Sequence, residues 1–367
     1  MKIEKEKNRD NRMDWILVSE ECEKNPDKKA YFTEYEICSE ARIPGVLDYN
    51  DGNIICGLMQ EKNEQGLYTY LIRVKHIEKV YEFDKNKYST EGYYFKDGLI
   101  GELLAIFSFY FQARFYLSAT LTGILSSKSL RMRFENKFQY KKPDPAINYE
   151  MFTHQERNWS KAEGLKSFLD KVRNLDQKYH QSLIRAFYWY NSAIKEIGVD
   201  HQLFYIKMTS SIEALLKFIM IKNDGLEGKL KNLITKKNFT EDESQAINNW
   251  LKNRKIGQRF TIFIKTYSDG FWKDGVKEAN HCYISKKELN TYTKRIYNAR
   301  SSYLHEGKPM YISGDIISDF AKEWDLDGNA GMMVDRKIFS EKEKLPRTRW
   351  FERITNYCIK NFIKNLK

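Results

Sequence analysis

The hydrophobic pattern of this 367-residue chain changes its period near the segment KKPDP, Lys141 to Pro145. Upstream, apolar and polar residues alternate in KAYFTEYEI and LYTYLIRVKHIEKVYEF, with the turn signals YNDGN and EKNEQG between them. This alternation is typical of half-buried β-strands. Downstream, segments such as QSLIRAFYWYNSAIKEIG repeat their apolar residues with the period of an α-helix. We therefore predict an α+β N-terminal domain over residues 1–150, followed by an all-α helical bundle over residues 151–367.

The most apolar stretch, Leu103 to Leu125, has nearly the length of a membrane-spanning helix. Gln112 and Arg114 lie at its middle, and a bilayer would penalise the arginine by about 2.5 to 3.5 kcal/mol or more. The pattern favours a buried helix from about Gly98 to Ala113 that runs into a strand. A membrane span is the alternative.

Charge and cysteine content restrict the class of protein. Lys and Arg outnumber Asp and Glu by 62 to 50, giving a formal net charge of +12, which permits an anionic partner such as nucleic acid without identifying one. The five cysteines are an odd number without CxxC spacing, so neither a disulfide framework nor a zinc ribbon is expected. The charged start MKIEKEKNRDNRMDW has no apolar signal core. These features predict a cytoplasmic protein.

Several helix ends of the C-terminal half are marked in the sequence. Thr240 with Glu243, and Ser285 with Glu288, have the spacing of capping boxes. Gly307, followed by a proline, signals the end of the helix that begins near Ser285. A terminal helix is predicted from apolar residues at helical spacing: Phe351, Ile354, Cys358, Phe362 and Leu366.

The helix from Ser285 turns a charged residue toward its apolar face. At about 100° per residue, Arg300 falls in the middle of the arc formed by Leu289, Ile296 and Tyr303. An uncompensated buried ion costs several kcal/mol. Arg300 therefore needs a carboxylate partner.

The predicted partner is Glu213, the single acid of a helix from Leu203 to Ile221 that is apolar almost all round and therefore central in a bundle. Pairing would satisfy both buried charges and would hold the guanidinium near the end of its helix. The residues alone leave two interpretations open. The guanidinium is functional, or the pair is a buried salt bridge that only fixes the register of the bundle.

A polar stripe lies on the opposite side of the same helix and consists of Asn298, Ser301, Ser302 and His305. A histidine in the last turn also interacts favourably with the helix dipole, which is the alternative to a functional role. His305 lies about 140° round the helix from Arg300, so the two side chains converge only if the last turn loosens or a second subunit contributes. This geometry favours a two-fold interface at which each site contains residues from both subunits.

These residues resemble the HEPN domains, specifically the Apea-like HEPN branch. The likeness consists of the Arg-x4-His pattern in YNARSSYLHEG, preceded by the acid-bearing helix SSIEALLKF and closed by a terminal helix, over about residues 155 to 367. A second segment, RNLDQKYH from Arg173 to His180, fits the looser Arg-x4-6-His pattern. Arg300 and His305 are preferred because they follow the Glu213 helix. Ser301 stands where many HEPN nucleases carry Asn, Asp or His.

The resemblance implies an all-α HEPN-like fold and metal-independent cleavage of RNA by a homodimer, often in antiphage or toxin-like responses. RNA supplies its own nucleophile, the 2′-OH, so a proton-transfer group and a cation beside the phosphate suffice. His305 would be the general acid or base, a role typically worth ~10²- to 10⁴-fold. Arg300 would stabilise the pentacoordinate phosphorane, and Glu213 would orient Arg300. The expected products are a 2′,3′-cyclic phosphate and a 5′-OH.

The polar stripe would line the substrate site through Asn298, Ser301 and Ser302. No Gly-rich phosphate loop, G-x-S-x-G or H-E-x-x-H motif is present, and the other histidines lack ligand spacing: His76, His154, His180, His201 and His281. No cofactor, metal or membrane is expected, and the N-terminal domain is expected to regulate the site or select its target. The alternative function is a non-catalytic RNA-binding, dimerisation or signalling module.

Overall fold

A computed structural model describes residues 12–77, 98–122, 132–135, 163–219, 221, 240–241, 243, 245, 256–272, 283–312, 325–326, 333–334, 337–338 and 343–366. The chain divides into two compact units. The first unit comprises Met1–Asp200 with Ile363–Lys367, and the second comprises His201–Phe362. The domain boundary predicted near residue 150 lies outside the described residues.

The first unit contains a six-stranded sheet. Its strands are β1 (Tyr31–Ser39), β2 (Val46–Tyr49), β3 (Ile54–Gln60), β4 (Tyr68–His76), β5 (Phe115–Thr122) and β6 (Met132–Glu135). Their order is β2-β3-β4-β1-β5-β6, and every neighbouring pair is antiparallel. The alternating segments of the sequence thus form the sheet as predicted, and the part of LYTYLIRVKHIEKVYEF after residue 77 lies outside the described residues.

The helices described in the first unit are α1 (Asp14–Lys24), α2 (Gly98–Phe111), α3 (Glu163–Arg173) and α4 (Gln177–Ile194). Helix α2 packs on α4, where the Phe109 ring lies 4.7 Å from the Phe187 ring and the Ser108 hydroxyl donates to Asn191 Oδ1 at 2.9 Å. Helices α3 and α4, which the sequence pattern assigns to the C-terminal helical domain, belong to the first unit. The prediction of an α+β part followed by helices is confirmed.

The long apolar stretch forms a buried helix that runs into a strand, as predicted. Helix α2 ends at Phe111, Gln112 adopts a left-handed φ of 49°, and β5 begins at Phe115. Arg114 between them is fully buried, pairs with Glu40 at 2.5 Å and donates to the Ile197 carbonyl at 3.3 Å. Among the described residues, no helix is long and apolar enough to cross a membrane.

Glu102 joins α2 to the start of α1. Its Oε2 accepts the Trp15 backbone N–H at 3.1 Å, so it satisfies a free amide at a helix start where Met13 provides no side-chain cap. Glu102 is fully buried, and this burial raises the pKa of its carboxyl to about 8. The neutral form is therefore the stable one in the fold.

The Glu102→Gln variant tests this buried acid. Because the folded-state pKa is raised, the wild type binds a proton on folding between the ordinary carboxyl value of 4.5 and about 8, and its stability falls as pH rises through that range. The variant carries no ionisable group at this position. The melting temperature of the variant relative to that of the wild type should therefore rise as pH increases across the same window. Thermal unfolding at a series of pH values measures the difference, with exposed Glu64→Gln as the matched control. Parallel curves for wild type and Glu102→Gln would contradict the assignment.

The second unit is mainly helical. Its described helices are α5 (His201–Glu213), α6 (Ile256–Tyr267), α7 (Leu289–Glu306) and α8 (Thr348–Asn365, in this unit to Phe362), with a 3-10 turn at Leu216–Phe218 and a short hairpin of β7 (Met333–Val334) and β8 (Lys337–Ile338). Aromatic rings form its core. Phe351 stacks on Tyr205 at 5.0 Å, and Phe362 lies 5.7 Å from Phe263. Four of the five residues predicted for the apolar face of the terminal helix are buried, namely Phe351, Ile354, Cys358 and Phe362. Leu366 lies one residue beyond the end of α8 and is half-buried.

The predicted capping box at Thr240 is complete, whereas the one at Ser285 forms only in part, because the Glu288 N–H donates to the Ser285 carbonyl rather than to its hydroxyl. Glu243 accepts from the Thr240 backbone N–H at 2.9 Å, and the Glu243 N–H donates to the Thr240 hydroxyl at 3.3 Å. Glu288 accepts the Ser285 N–H at 3.0 Å and the Ser285 hydroxyl at 2.7 Å. The second box precedes its helix by a turn, since α7 begins at Leu289.

Candidate functional site

Arg300 of α7 and Glu213 of α5 form an ion pair. The guanidinium Nη2 donates to Glu213 Oε2 at 2.9 Å, so the pairing predicted from two isolated charges is confirmed. The two side chains are 19% and 21% exposed, respectively. The pair is therefore only partly buried, and one edge of it meets solvent.

The predicted extent of the Glu213 helix is wrong. Helix α5 ends at Glu213 rather than continuing to Ile221, and the backbone tightens at once, with the Leu215 N–H bonded to the Ile212 carbonyl at 2.9 Å. The segment SSIEALLKFI contains no glycine or proline, so no local breaker announces this end. Glu213 thus lies at the negative end of a helix dipole, where the Arg300 charge is favourable.

Tyr297 is a third member of the cluster that the sequence analysis did not include. It lies three residues before Arg300 on α7, its hydroxyl donates a hydrogen bond to the Glu213 carboxylate, and the Arg300 guanidinium carbon lies 6.0 Å from its ring centroid. Burial and the Glu213 charge raise the pKa of the Tyr297 hydroxyl to about 12. The signal was available, because residues three apart on a helix are neighbours.

Burial dominates the electrostatics of Glu213. Desolvation raises the pKa of its carboxyl, while the Arg300 charge and the Tyr297 hydrogen bond act in the opposite direction with smaller effect. The net pKa lies above the ordinary carboxyl value of 4.5. The two partners therefore offset only part of the cost of burying this charge.

The polar stripe lies at the solvent side of α7. Asn298 and His305 are exposed, whereas Ser301 and Ser302 are half-buried. The helix ends as predicted at Gly307, whose φ of 66° is left-handed and whose N–H donates to the Tyr303 carbonyl at 3.1 Å. Within the described part of the chain, no hydrogen bond joins any of these side chains to the ion pair. The structure therefore brings Glu213 and Arg300 together and leaves His305 apart from them in a single chain.

The second Arg–His segment has a different environment. Arg173 forms an ion pair with Glu23, with Nη1 at 2.7 Å from Oε1. His180 is fully buried, and its Nε2 lies 3.0 Å from the Leu175 carbonyl oxygen. A substrate cannot reach this imidazole in the folded first unit.

The described residues include neither a metal-binding cluster nor an accessible thiol. Those residues contain no cluster of three or more His, Cys, Asp or Glu side chains that could hold a metal ion. The described cysteines are buried thiols: Cys22, Cys38, Cys56 and Cys358. The cluster of Glu213, Tyr297 and Arg300, with His305 at the end of α7, is the candidate site.

Comparison with known proteins yields no family model, no curated protein and no solved structure that matches this chain.

Proposed function

We propose that the second unit is a metal-independent endoribonuclease of HEPN type, which cleaves RNA through attack of the 2′-OH on the adjacent phosphodiester. The observation that carries this proposal is the geometry of Arg300. A carboxylate holds the guanidinium through one nitrogen, on the last turns of a helix that ends with an exposed histidine. RNA transesterification requires a fixed cation at the phosphate and a group that transfers a proton, and Arg300 supplies the first of these.

The single contact with Glu213 leaves Nη1 of the guanidinium for a phosphate. Arg300 donates to Glu213 through Nη2, and among the described residues Nη1 makes no hydrogen bond. Its Nε is buried, also without a partner there. Since guanidinium groups bind phosphate oxygens with two parallel donors, the exposed edge of the pair suits a phosphodiester. The net charge of +12 is consistent with an RNA partner.

The separation of Arg300 from His305 supports a dimeric site. Five residues of α-helix advance about 7.5 Å and turn about 140°, so one helix does not direct both side chains at one phosphate. Two copies of α7 related by a two-fold axis would place His305 of one subunit opposite Arg300 of the other. In this arrangement His305 transfers the proton, Arg300 stabilises the phosphorane, and Asn298, Ser301 and Ser302 line the groove.

The sheet of the first unit is proposed to regulate the nuclease or to select its target. The resemblance to the HEPN domains is what suggests an antiphage-defence or toxin-like effector as the setting of this activity.

The test is cleavage of RNA by the purified full-length protein in buffer containing EDTA. We expect fragments that end in a 2′,3′-cyclic phosphate and begin with a 5′-OH, because the 2′-OH is the nucleophile. An RNA with a 2′-O-methyl group at the cleaved position is the matched control and should resist cleavage. Binding of RNA without cleavage would instead support the non-catalytic RNA-binding module. Products with a 3′-OH and a 5′-phosphate would contradict the mechanism.

A further inference from the structure

We propose that Tyr297, seated on Gly257, is a positioning residue that holds the Arg300 guanidinium in place. Its consequence for RNA cleavage rests on the function proposed above. Its consequence for the structure of the site does not, so the two can be tested separately.

Tyr297 contacts both members of the ion pair. Its hydroxyl donates to the Glu213 carboxylate, and its ring lies under the guanidinium, 6.0 Å from ring centroid to Cζ. The position of the ring therefore sets the position of the carboxylate and the cation together. A hydrogen bond with a charged group is stronger than one between neutral groups, and a cation over an aromatic face is attracted by the ring quadrupole.

The same ring also contacts α6, where Gly257 leaves room for it. A Cβ at position 257 would lie 2.8 Å from Cδ1 and 2.9 Å from Cε1 of Tyr297, closer than carbon atoms approach in proteins. Phe260, one turn later on α6, supports the same ring at 5.5 Å. A methyl group at position 257 therefore requires a shift of the Tyr297 ring or of α6, and a shift of the ring disturbs its contacts with Glu213 and Arg300.

Gly257 is the second residue of α6, and alanine has a higher helix propensity than glycine. The glycine, which lacks a Cβ, admits the close approach of the Tyr297 ring at this position.

Three variants separate the parts of this arrangement. Gly257→Ala displaces the ring, Tyr297→Ala removes it, and Tyr297→Phe removes only the hydroxyl. For the first two we expect kcat to fall about 10- to 100-fold with little change in KM, because small misplacements of a catalytic group have effects of that order. For Tyr297→Phe we expect a smaller loss.

The pH profile distinguishes positioning from a general loss of stability. Among the described residues, the charged and titratable groups that act on Glu213 are Arg300 and Tyr297, both on α7. Without the Tyr297 hydroxyl, the pKa of Glu213 rises further, so the ion pair forms only at higher pH. The activity of Tyr297→Phe should therefore recover toward that of the wild type as pH is raised, whereas Tyr297→Ala should not recover.

Matched controls exist for each type of change. Gly164→Ala directs a Cβ to 2.5 Å from the hydroxyl oxygen of a different tyrosine, Tyr110, in the first unit. Tyr292→Phe removes a tyrosine hydroxyl from α7 at a ring that carries another arginine, Arg295, 4.9 Å from its centroid. Both controls should keep the kcat and the pH profile of the wild type.

A measurement without RNA tests the structural part. The buried Nε–H of Arg300 gives a side-chain signal in protein labelled with ¹⁵N-arginine, and Arg300→Lys identifies it by loss of that signal. Hydrogen exchange at this group should become severalfold faster in Gly257→Ala and Tyr297→Ala, and should be unchanged in the controls. Unchanged exchange in both variants would overturn the inference, whether or not RNA is cleaved. If exchange accelerates but the wild type cleaves no RNA, the positioning role stands and the nuclease proposal fails.

Discussion

Replacing His305 with alanine is expected to reduce RNA cleavage at least about 10²-fold, because general acid–base groups contribute about that much or more. The fold should survive, since His305 is exposed in the last turn of α7 and its interaction with the helix dipole is worth only about 0.3 to 1 kcal/mol. Initial rates on a labelled RNA in EDTA, with thermal unfolding of the same samples, measure both effects. Glu306→Gln, an exposed neighbour on the same turn, is the matched control. Wild-type cleavage by His305→Ala would remove the role assigned to this histidine.

The proposed subunit seam makes a sharper prediction for mixed dimers. If each site takes Arg300 from one subunit and His305 from the other, an equal mixture of Arg300→Ala and His305→Ala subunits regains activity. After subunits exchange at random, half of the dimers are mixed, and each mixed dimer has one intact site out of two. The mixture should therefore show about one quarter of wild-type activity. A mixture as inactive as its two components would place both groups in the same subunit.

Replacing Arg300 with alanine is expected to destabilise the protein by about 1.5 to 3 kcal/mol at neutral pH, the usual contribution of a hydrogen bond to a charged group. A fully buried pair would cost about 3 to 5 kcal/mol to break. The smaller value applies because the two side chains are 19% and 21% exposed. Urea unfolding measures the change, with Arg295→Ala as the matched control on the same helix. A free energy of unfolding equal to that of the wild type would show that the pair is not formed in solution.

The destabilisation should depend on pH with a definite sign. The pKa of Glu213 is raised in the fold, so its contribution to stability declines as pH rises through the folded-state value. Arg300→Ala removes a charge that lowers this pKa, so the pKa rises further in the variant. The stability of the variant therefore declines over a wider pH range. The difference between wild type and variant should be smallest below pH 4.5, the ordinary carboxyl value, and largest above the folded-state pKa of the variant. Adding Glu213→Gln to Arg300→Ala should restore part of the stability by removing the uncompensated charge.

Much of the candidate site could be predicted from the sequence, because a charged residue at an apolar position of a helix indicates a buried charge. One arginine on an apolar helical face and one acid in an apolar helix are each unsatisfied alone, and pairing them is the simplest solution. Tyr297 was missed although its spacing from Arg300 was visible, since an aromatic residue at that position is equally suited to a core. Its role depends on the carboxylate of another helix and on the room left by Gly257, neither of which is local to α7.

The sequence by itself determined the elements whose signals are local. Alternation produced the strands, the charged Arg114 marked the passage from α2 to β5, and Gly307 ended α7, because each of these features concerns hydrogen bonds and burial within a few residues. The tertiary structure alone decided that α5 stops at Glu213 without a breaker, that α3 and α4 pack in the first unit, and that the ion pair is only partly covered. Those outcomes depend on which distant surfaces cover a helix, and helical periodicity shows that a face is buried without showing what buries it.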